Sequence, residues 1–491
     1  MRVRLEVVEG PEAGRFFEFE EADSFLVGRS PKAHFVLEPA ADRLISRHHF
    51  LLDIRPPLCL IQDLDSKNGT FVNHRRIRRH ELEDRDEIKA GQTVIRIRIL
   101  DREDTPNENH GRNRRVLQDP PPQASSPQST RSANPSLMAA KTIPPRSDRT
   151  FPCVGCQRDL HRWASTDGWA DELPDARYLC PTCTAAQRSP NVTRTTIGHY
   201  RIVRELGRGG MGVVYKAVHE PTRRLCAVKE ILPDAAADEK SLKLFDREIG
   251  VQSMVIHPNL ARILERGRDD KHLFFSIEYL EGGDAYSLVS ESLQDPIDPR
   301  LAGRITCDIL RGLQALHDHG FVHRDLKPRN FLLNRVHDDP DMKAKITDYG
   351  LAKSFEEAGN SLFDFTRVGE VAGSMMFMAP EQILDYRFVK PPSDVYSVGV
   401  SLYYLLTRQF SIDFPLSPPQ GGGRNQPAPR HPIHAMIEDP PIPILERRPD
   451  LPENLAAVVD KAVQKDVERR YVTADQFLKA LEAAIPEEEK A

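Results

Sequence analysis

A series of short glycine-rich and charged motifs between Gly207 and Arg470 constrains the fold more than any other feature of the chain. In chain order the motifs are Gly207-Arg-Gly-Gly-Met-Gly212, Ala227-Val-Lys229, Glu248, His323-Arg-Asp-Leu-Lys-Pro-Arg-Asn330, Asp348-Tyr-Gly350 and Ala379-Pro-Glu381. Strand-like sequence comes first here, and helical sequence dominates later. Apolar residues recur at helical spacing over 305–319, namely Ile305, Ile309, Leu313 and Leu316. The pattern predicts an α+β domain over about 199–484.

The first motifs suit a nucleotide triphosphate, whose negative charge a protein must neutralise. Gly207, Gly209 and Gly212 would let a β-hairpin fold closely over phosphates, because no side chain intervenes. An isolated glycine motif of this kind is more often an ordinary turn, but here Val214 follows it and the other motifs accompany it. Lys229 lies in a strand-like run, from which it would reach the phosphates.

Glu248 is the expected partner of Lys229. It lies in a segment whose apolar residues recur at helical spacing, and this helix would turn Glu248 toward the lysine. The competing interpretation is an ordinary surface acid. Asp246 is the nearest rival, but it lies about 200° away around the helix.

Taken together, the motifs resemble the two-lobed fold of a eukaryotic-type protein kinase, and Gly-Arg-Gly-Gly-Met-Gly-Val-Val-Tyr is typical of the bacterial (Hanks-type) serine/threonine kinases. The resemblance implies that Asp325 accepts or orients the proton of the substrate hydroxyl and that Lys327 steadies the γ-phosphate. It also implies that Asn330 and Asp348 bind Mg²⁺ or Mn²⁺. Lysine at position 327 favours serine or threonine as the phosphate acceptor.

The resemblance extends to the supporting residues. It implies an activation segment from Asp348 to Glu381 and a buried ion pair between Glu381 and Arg470. It also implies that Asp394 holds the backbone of the catalytic loop. Tyr349 replaces the usual phenylalanine, a mild departure. Further positions in the segment are the phosphorylation candidates Ser361 and Thr366 and the architectural Ser374.

Residues 1–100 show strand-like alternation, with Val3, Leu5 and Val7 on one face of a predicted strand and Ile95, Ile97 and Ile99 on one face of another. The region therefore predicts a small all-β sandwich. Three of its motifs resemble the forkhead-associated (FHA) domain, a phosphothreonine reader: Val27-Gly-Arg-Ser30, Ser46-Arg-His-His49 and Ser66-Lys-Asn-Gly-Thr-Phe-Val-Asn73.

This second resemblance implies a phosphothreonine site. Arg29 offers a planar fork for phosphate, Ser46 adds a hydroxyl, and Arg47 adds a second cation. Asn68 would bond the peptide main chain, and His49 is expected to hold the loops together. The competing interpretation is a sandwich with incidental glycine turns.

Two cysteine pairs follow a Pro-, Ser- and Asn-rich stretch at 101–150, which predicts a disordered linker. Over 151–190, the pair Cys153 and Cys156 is followed by the pair Cys180 and Cys183, which is the spacing of a zinc ribbon. Four thiolates at this spacing can hold a structural Zn²⁺. A redox dithiol pair and a ligand set that includes His161 remain alternatives.

The overall composition bears on the partners and on the cellular compartment of the protein. A mild net charge of −5 gives no sign of bulk attraction to nucleic acid, which is itself negative, and no apolar run reaches the roughly 18 residues of a membrane span. Seven cysteines without a disulfide framework favour a reducing compartment, so we expect a soluble, cytoplasmic protein.

The sequence thus predicts an ATP- and Mg²⁺-dependent serine/threonine kinase joined to a phosphothreonine reader. Its partners would be protein substrates and phosphothreonine peptides, including its own linker or activation segment, in which Thr105, Thr130, Thr142 and Thr366 are candidates. The alternative is a phospho-dependent adaptor with an inactive kinase fold. Such a fold would normally lack Lys229, Asp325, Asn330 or Asp348, and none is missing.

Overall fold

A computed structural model describes residues 2–20, 23–37, 42, 44–100, 150–164, 166, 173, 175–189, 194–209, 212–231, 255–269, 272–291, 296–348, 375–384, 389–414 and 432–486. Several predicted features lie outside these residues: the linker at 101–149 and the positions Glu248, Tyr349, Ser361, Thr366 and Ser374.

The N-terminal region is built from strands. They are β1 (Arg2–Glu9), β2 (Phe16–Phe19), β3 (Asp23–Gly28), β4 (Phe35–Val36), β5 (Phe50–Arg55), β6 (Leu58–Asp63), β7 (Thr70–Val72), β8 (Arg75–Ile77), β9 (Arg79–Glu81), β10 (Glu87–Ala90) and β11 (Thr93–Leu100). One sheet has the order β2-β1-β11-β10-β7-β8 and the other the order β4-β3-β5-β6-β9.

Alternation of apolar residues explains how these sheets pack. Val3, Leu5 and Val7 are buried on β1, and they pair with Ile99, Ile97 and Ile95 on β11. Because side chains alternate across a strand, both strands turn one apolar face toward the second sheet. A shared apolar core fills the space between the sheets. The all-β prediction is confirmed for the described residues.

The kinase-like region begins with a further sheet. Its strands are β12 (Thr196–Ile197), β13 (Tyr200–Gly209), β14 (Gly212–His219), β15 (Leu225–Ile231), β16 (Ile263–Asp269) and β17 (His272–Glu278), in the order β12-β13-β14-β15-β17-β16. A small hairpin follows later in the chain, formed by β18 (Phe331–Leu333) and β19 (Ala344–Ile346).

The helices are α1 (His161–Ala164), α2 (Pro181–Ala186), α3 (Ala285–Glu291), α4 (Pro299–Asp318), α5 (Pro380–Leu384), α6 (Pro391–Thr407), α7 (Pro432–Glu438), α8 (Ile444–Arg447), α9 (Glu453–Ala462) and α10 (Ala474–Glu482). Asp298 caps α4 by accepting a hydrogen bond from the backbone of Leu301, and Pro299 fills the first helical position. The four apolar residues predicted for its inner face are fully buried. No described helix is both long and apolar enough to cross a membrane.

The N-terminal sandwich packs against the helical lobe. Apolar side chains of the two parts form one buried cluster, which includes Leu26, Leu51, Leu64, Met375, Met378, Ile383, Ile433 and Met436. Polar contacts border the cluster: Ser24 Oγ donates to the carbonyl of Leu384 at 3.1 Å, and Lys32 Nζ donates to that of Ile437 at 3.1 Å. The sandwich thus contacts α5, which ends the predicted activation segment, and α7.

Candidate active site and accessory sites

The glycine motif forms the turn end of the hairpin β13–β14. Gly207 pairs with Val214 and Gly209 with Gly212, and on the other side of β14 Val214 pairs with Lys229. A Cβ on Gly212 would lie 2.1 Å from the carbonyl oxygen of Glu230, so only glycine fits there. The register therefore places the hairpin beside the strand that carries the predicted phosphate-binding lysine.

Lys229 reaches across to the helical lobe. Its Nζ lies 2.8 Å from Oδ2 of Asp348, which follows shortly after the end of β19. Burial by itself would raise the pKa of Asp348, but the charges of Lys229 and Lys327 outweigh burial and hold that pKa below its usual value. The carboxylate is therefore ionised at neutral pH, as a metal ligand must be.

The catalytic loop brings three predicted residues into direct contact. Lys327 Nζ donates to the carboxylate of Asp325 at 2.7 and 3.0 Å. Asn330 Nδ2 donates to the backbone carbonyl of Asp325 at 2.6 Å and to Oδ2 of its side chain at 3.2 Å. The arrangement holds the Asp325 carboxylate in place through two donors.

Asp394 organises the backbone of this loop, as expected. Its two carboxylate oxygens accept from the backbone amides of His323 and Arg324, both at 2.8 Å. Sequence reasoning missed His317, whose Nε2 lies 2.8 Å from the same carboxylate, and Gln382, whose Nε2 donates to the carbonyl of Arg324 at 2.6 Å. Neither belongs to a recognisable motif, so only the structure reveals them.

The expected ion pair between Glu381 and Arg470 is present. The two side chains form a bidentate contact at 2.7 and 2.8 Å, and the Arg470 side chain is fully buried. Burial would raise the pKa of Glu381, yet the guanidinium holds it below its ordinary value. The pair ties α5 to the segment between α9 and α10.

The four residues predicted to bind phosphothreonine lie on neighbouring loops of the sandwich. The backbone amide of Arg29 donates to the carbonyl of Ser46 at 3.0 Å, and Ser46 Oγ accepts from the amide of Lys67 at 3.0 Å. Asn68 Nδ2 donates to the carbonyl of Leu44 at 2.7 Å. The side chains of Arg29 and Arg47 are exposed.

His49 joins the loops of the sandwich, as predicted. Its buried ring accepts from the amide of Ser46 at 3.0 Å through Nδ1, and its Nε2 lies 3.2 Å from the carbonyl of Gly69.

The contact between these loops and α7 has no counterpart in any sequence motif. Arg47 forms an ion pair with Glu438 at 3.2 Å, and His48 Nδ1 lies 3.0 Å from His434 Nδ1. His434 Nε2 donates to the carbonyl of Leu64 at 2.7 Å. A loop with a candidate phosphate ligand is thus held by the helical lobe.

The four paired cysteines converge. Their Sγ atoms all lie within 4.8 Å of one another, and those of Cys156 and Cys180 are 3.8 Å apart. That spacing is the edge of a tetrahedron around a metal with bonds of about 2.3 Å, the usual Zn–S length. Backbone amides donate to Sγ of Cys153 and of Cys180. His161 does not belong to this group among the described residues.

Comparison with known proteins places the two main regions. A family model for the protein kinase domain matches residues 200–481, more than half of the chain, and one for the FHA domain matches residues 25–91. The chain is 30% identical over 290 residues to the serine/threonine-protein kinase pkn2 of Myxococcus xanthus, covering 58% of this chain and 32% of that protein. It is 32% identical over 305 residues to the serine/threonine-protein kinase PknA of Mycobacterium tuberculosis, covering 60% and 63%.

The chain therefore spans between about a third and just under two thirds of these relatives' length. The crystal structure of the Mycobacterium tuberculosis PknI kinase domain aligns with a TM-score of 0.44 at 23% identity, over 60% of this chain and 100% of that one. From the extent of the kinase match, the chain belongs to the protein kinase family, and an FHA domain precedes its kinase domain.

Proposed function

We propose that this chain is a serine/threonine protein kinase that transfers the γ-phosphoryl group of ATP to hydroxyl groups of proteins. Two groups of contacts carry the proposal: Lys229 with Asp348 at 2.8 Å, and Asp325 with Lys327 and Asn330 at 2.6–3.2 Å. The backbone joins the groups, because the amide of Thr347, next to Asp348, donates to the carbonyl of Asn330 at 3.0 Å. Positioned charges of this kind are what phosphoryl transfer chiefly requires of a protein.

The oxygen atoms of two residues fit a divalent cation. Asn330 uses its amide nitrogen on Asp325, which leaves its Oδ1 as a ligand atom, and the ionised Asp348 supplies a carboxylate. Mg²⁺ prefers oxygen ligands of this type, and Mn²⁺ accepts them. When bound, the ion neutralises phosphate charge. Lys229 would bind the α- and β-phosphates, and Glu248, which lies outside the described residues, is its second proposed partner.

Asp325 is the proposed proton acceptor. Its carboxylate would orient the substrate hydroxyl and take its proton while the bond between that oxygen and the phosphorus forms. Lys327 holds this carboxylate in the structure and would contact the γ-phosphate as well. Replacing the carboxylate by an amide keeps the shape and removes the acceptor, so Asp325→Asn is the sharpest single test.

The test is incorporation of radiolabelled phosphate from ATP by the full chain. We expect Asp325→Asn to lose about a hundredfold or more of the activity, the range of general-base catalysis. The matched control is Asp338→Asn, because Asp338 is an exposed aspartate on the same lobe. This variant should keep the wild-type activity. Equal incorporation by wild type and Asp325→Asn would leave the adaptor with an inactive kinase fold as the better description.

The FHA domain is proposed to bind phosphothreonine peptides through Arg29, Ser46, Arg47 and Asn68. The exposed guanidinium of Arg29 and the hydrogen-bonded loops beside it support this role. Affinity for a phosphothreonine peptide should fall at least tenfold in Arg29→Ala and stay unchanged in Arg85→Ala, whose side chain is 78% exposed on another loop. Equal affinity for the unphosphorylated peptide would contradict the proposal.

Ligands for the FHA domain could come from this chain or from another protein. The linker and activation segment supply threonines in cis, and tethering gives them a millimolar effective concentration. Mapping phosphosites by mass spectrometry before and after ATP would identify Ser361, Thr366 or linker sites as products. Phosphate found only on added substrates would favour binding in trans.

The four-cysteine group is proposed to hold one structural Zn²⁺. The 3.8 Å spacing of Cys156 and Cys180 supports a tetrahedral thiolate site, and a closed set of four protein ligands is the structural type. Purified protein should contain about one zinc per chain, and Cys156→Ser should lose most of it. Purification without zinc but with a reversible disulfide would favour the redox alternative. Because none of the seven cysteines forms a disulfide, as is usual in a reducing compartment, we place the protein in the cytoplasm.

A further inference from the structure

The cysteine pairs lie in the segment 150–189. The described residues of this segment pack against strands β14 and β15 of the kinase sheet. Its apolar residues Phe151, Leu160 and Leu179 share a buried cluster with Val218 and Leu225 of β14 and β15. A simple linker between two domains does not share a buried apolar cluster with one of them. The segment is therefore an integral part of the kinase sheet's packing.

Backbone pairing fixes the segment to the sheet. The amide of Leu179 donates to the carbonyl of Arg223 at 2.9 Å, and the amide of Leu225 donates to that of Arg177 at 2.7 Å. The buried guanidinium of Arg223 donates two hydrogen bonds to the segment, one to the carbonyl of Leu179 at 3.0 Å and one to Thr184 Oγ1 at 2.6 Å. These residues adjoin Cys180 and Cys183, so metal ligands and sheet contacts belong to one short stretch.

The same stretch reaches the connection between the lobes. That connection runs from Glu278, the end of β17, to Ala285, the start of α3. Arg177 donates from Nε and Nη2 to Oε1 of Glu281 within it, at 3.2 and 2.8 Å. The connection itself pairs with the helical lobe, since the amide of Gly282 donates to the carbonyl of Leu333 at 3.0 Å.

Asp175 extends the contact to the helical lobe. Its Oδ1 accepts from Arg335 Nη2 at 2.8 Å, and its Oδ2 accepts from Asn334 Nδ2 at 2.9 Å. Asn334 is buried and also accepts from the backbone amide of Lys343 at 2.7 Å. Asn334 therefore lies at the loop end of the hairpin β18–β19, opposite the end from which Asn330 and Asp348 extend.

That hairpin carries both proposed Mg²⁺ ligands. Asn330 directly precedes β18, and a single residue separates Asp348 from the end of β19. A continuous path of contacts thus runs from the cysteine group through residues 175–179 to the sheet with the glycine hairpin and to the hairpin β18–β19, next to which lie the proposed metal ligands.

We propose that the four-cysteine unit is a second connection between the kinase lobes, and that metal binding in it is coupled to nucleotide binding in the cleft. The proposal rests on the proposed function for the presence of the zinc and the nucleotide. Nucleotide binds between the lobes and favours one relative orientation of them. A metal-ordered unit attached to both lobes favours one orientation too. Each ligand then changes the affinity for the other by the same factor.

Zinc release measures this coupling without using kinase activity. Zinc-loaded full-length protein is titrated with a chromogenic zinc chelator, with and without Mg²⁺ and ADP. We expect Mg²⁺ and ADP to raise the affinity for zinc by roughly fivefold or more, the lower range of allosteric coupling. Both tryptophans of the chain, Trp163 and Trp169, lie between Cys156 and Cys180 in the sequence, so tryptophan fluorescence is a probe of folding in this part of the chain.

Asp175→Asn tests the path. This variant should keep one zinc and a native tryptophan spectrum, lose the effect of ADP on zinc release, and raise the KM for ATP more than it lowers kcat. Asp341→Asn is the matched control, because Asp341 also contacts Arg335, at 3.3 Å, but lies outside the unit and its side chain is 77% exposed. The control should behave as wild type, and Asp175→Glu should recover part of the coupling.

The outcomes separate the claims. Zinc release that is independent of ADP in a protein shown to bind both ligands would overturn the coupling and leave the kinase and zinc proposals standing. Identical behaviour of Asp175→Asn and Asp341→Asn would overturn the path through Asp175. A protein without bound zinc would refute the metal site and the coupling with it, while phosphate incorporation would still test the kinase. An Asp175→Asn variant without native fluorescence would be replaced by Arg335→Gln, for which the same loss of coupling is expected.

Discussion

The contact between the FHA domain and α7 should weaken as the pH falls, because it buries a histidine that must stay neutral. The His48 side chain is fully buried. Burial is the main reason that its pKa is lowered to about 4, and neighbouring His434 lowers it further. Glu438 opposes the shift, while Lys32 and Arg47 add to it.

The sign follows from proton uptake. Exposed histidine has a pKa of about 6.5, so between pH 6.5 and 4 the separated domains bind more protons than the docked ones. The docking free energy is complete above pH 6.5 and is lost as the pH falls toward 4. At pH 5 the loss is at most about 2 kcal/mol, or roughly thirtyfold in the ratio of docked to separated protein, if separation exposes His48 fully.

Small-angle X-ray scattering of the full chain between pH 7.5 and 5.0 measures this separation as an increased radius of gyration. His48→Gln stays neutral throughout and should show no dependence on pH. If docking tightens at pH 5, protonated His48 pairs with Glu438, and the reasoning is wrong. An identical response of wild type and His48→Gln would also refute it.

Three further substitutions test individual contacts. Gly28→Ala would place a Cβ 2.1 Å from a carbonyl oxygen of the neighbouring loop, so the FHA domain should lose roughly 1–3 kcal/mol and melt earlier; an unchanged melting temperature would contradict this. Arg470→Met removes the charged partner of Glu381, to which the hydroxyl of Ser393 still donates, and should cost about 3 kcal/mol in denaturant titrations. The double variant with Glu381→Leu should cost less than the sum of the two single variants. Gly155→Ala would bring a Cβ within 2.8 Å of Cys183 Sγ and should weaken zinc binding about 10- to 100-fold in a chelator competition; wild-type affinity would argue against a tight four-cysteine site.

Local sequence patterns were sufficient to predict the structure where it depends on residues close in sequence or on a regular period. The helix that precedes the catalytic loop followed from Ile305, Ile309 and Leu313, because a period of 3.6 residues places them on one face. Its start was missed, since the structure begins it at Pro299, where Asp298 provides the cap.

Partners separated by many residues were predicted only where a family pattern supplied them. Asp394 and the catalytic-loop backbone are an example, and Glu381 with Arg470 is another. His317 contacts the same Asp394, yet no pattern distinguishes it from other histidines of an amphipathic helix. The partnership of Lys229 with Glu248 stays a prediction, and in the described residues the lysine contacts Asp348.

The sequence by itself determined the chemistry of each region. Spacing along the chain was enough to identify the glycines, acids and lysines of the kinase motifs, the FHA loops and the four thiols. Only the tertiary structure decided how the regions meet. The contact of Arg47 with Glu438 and that of Asp175 with Arg335 join positions 391 and 160 residues apart. Such contacts depend on the shapes and charges of two finished surfaces, and no short-range period or motif encodes them.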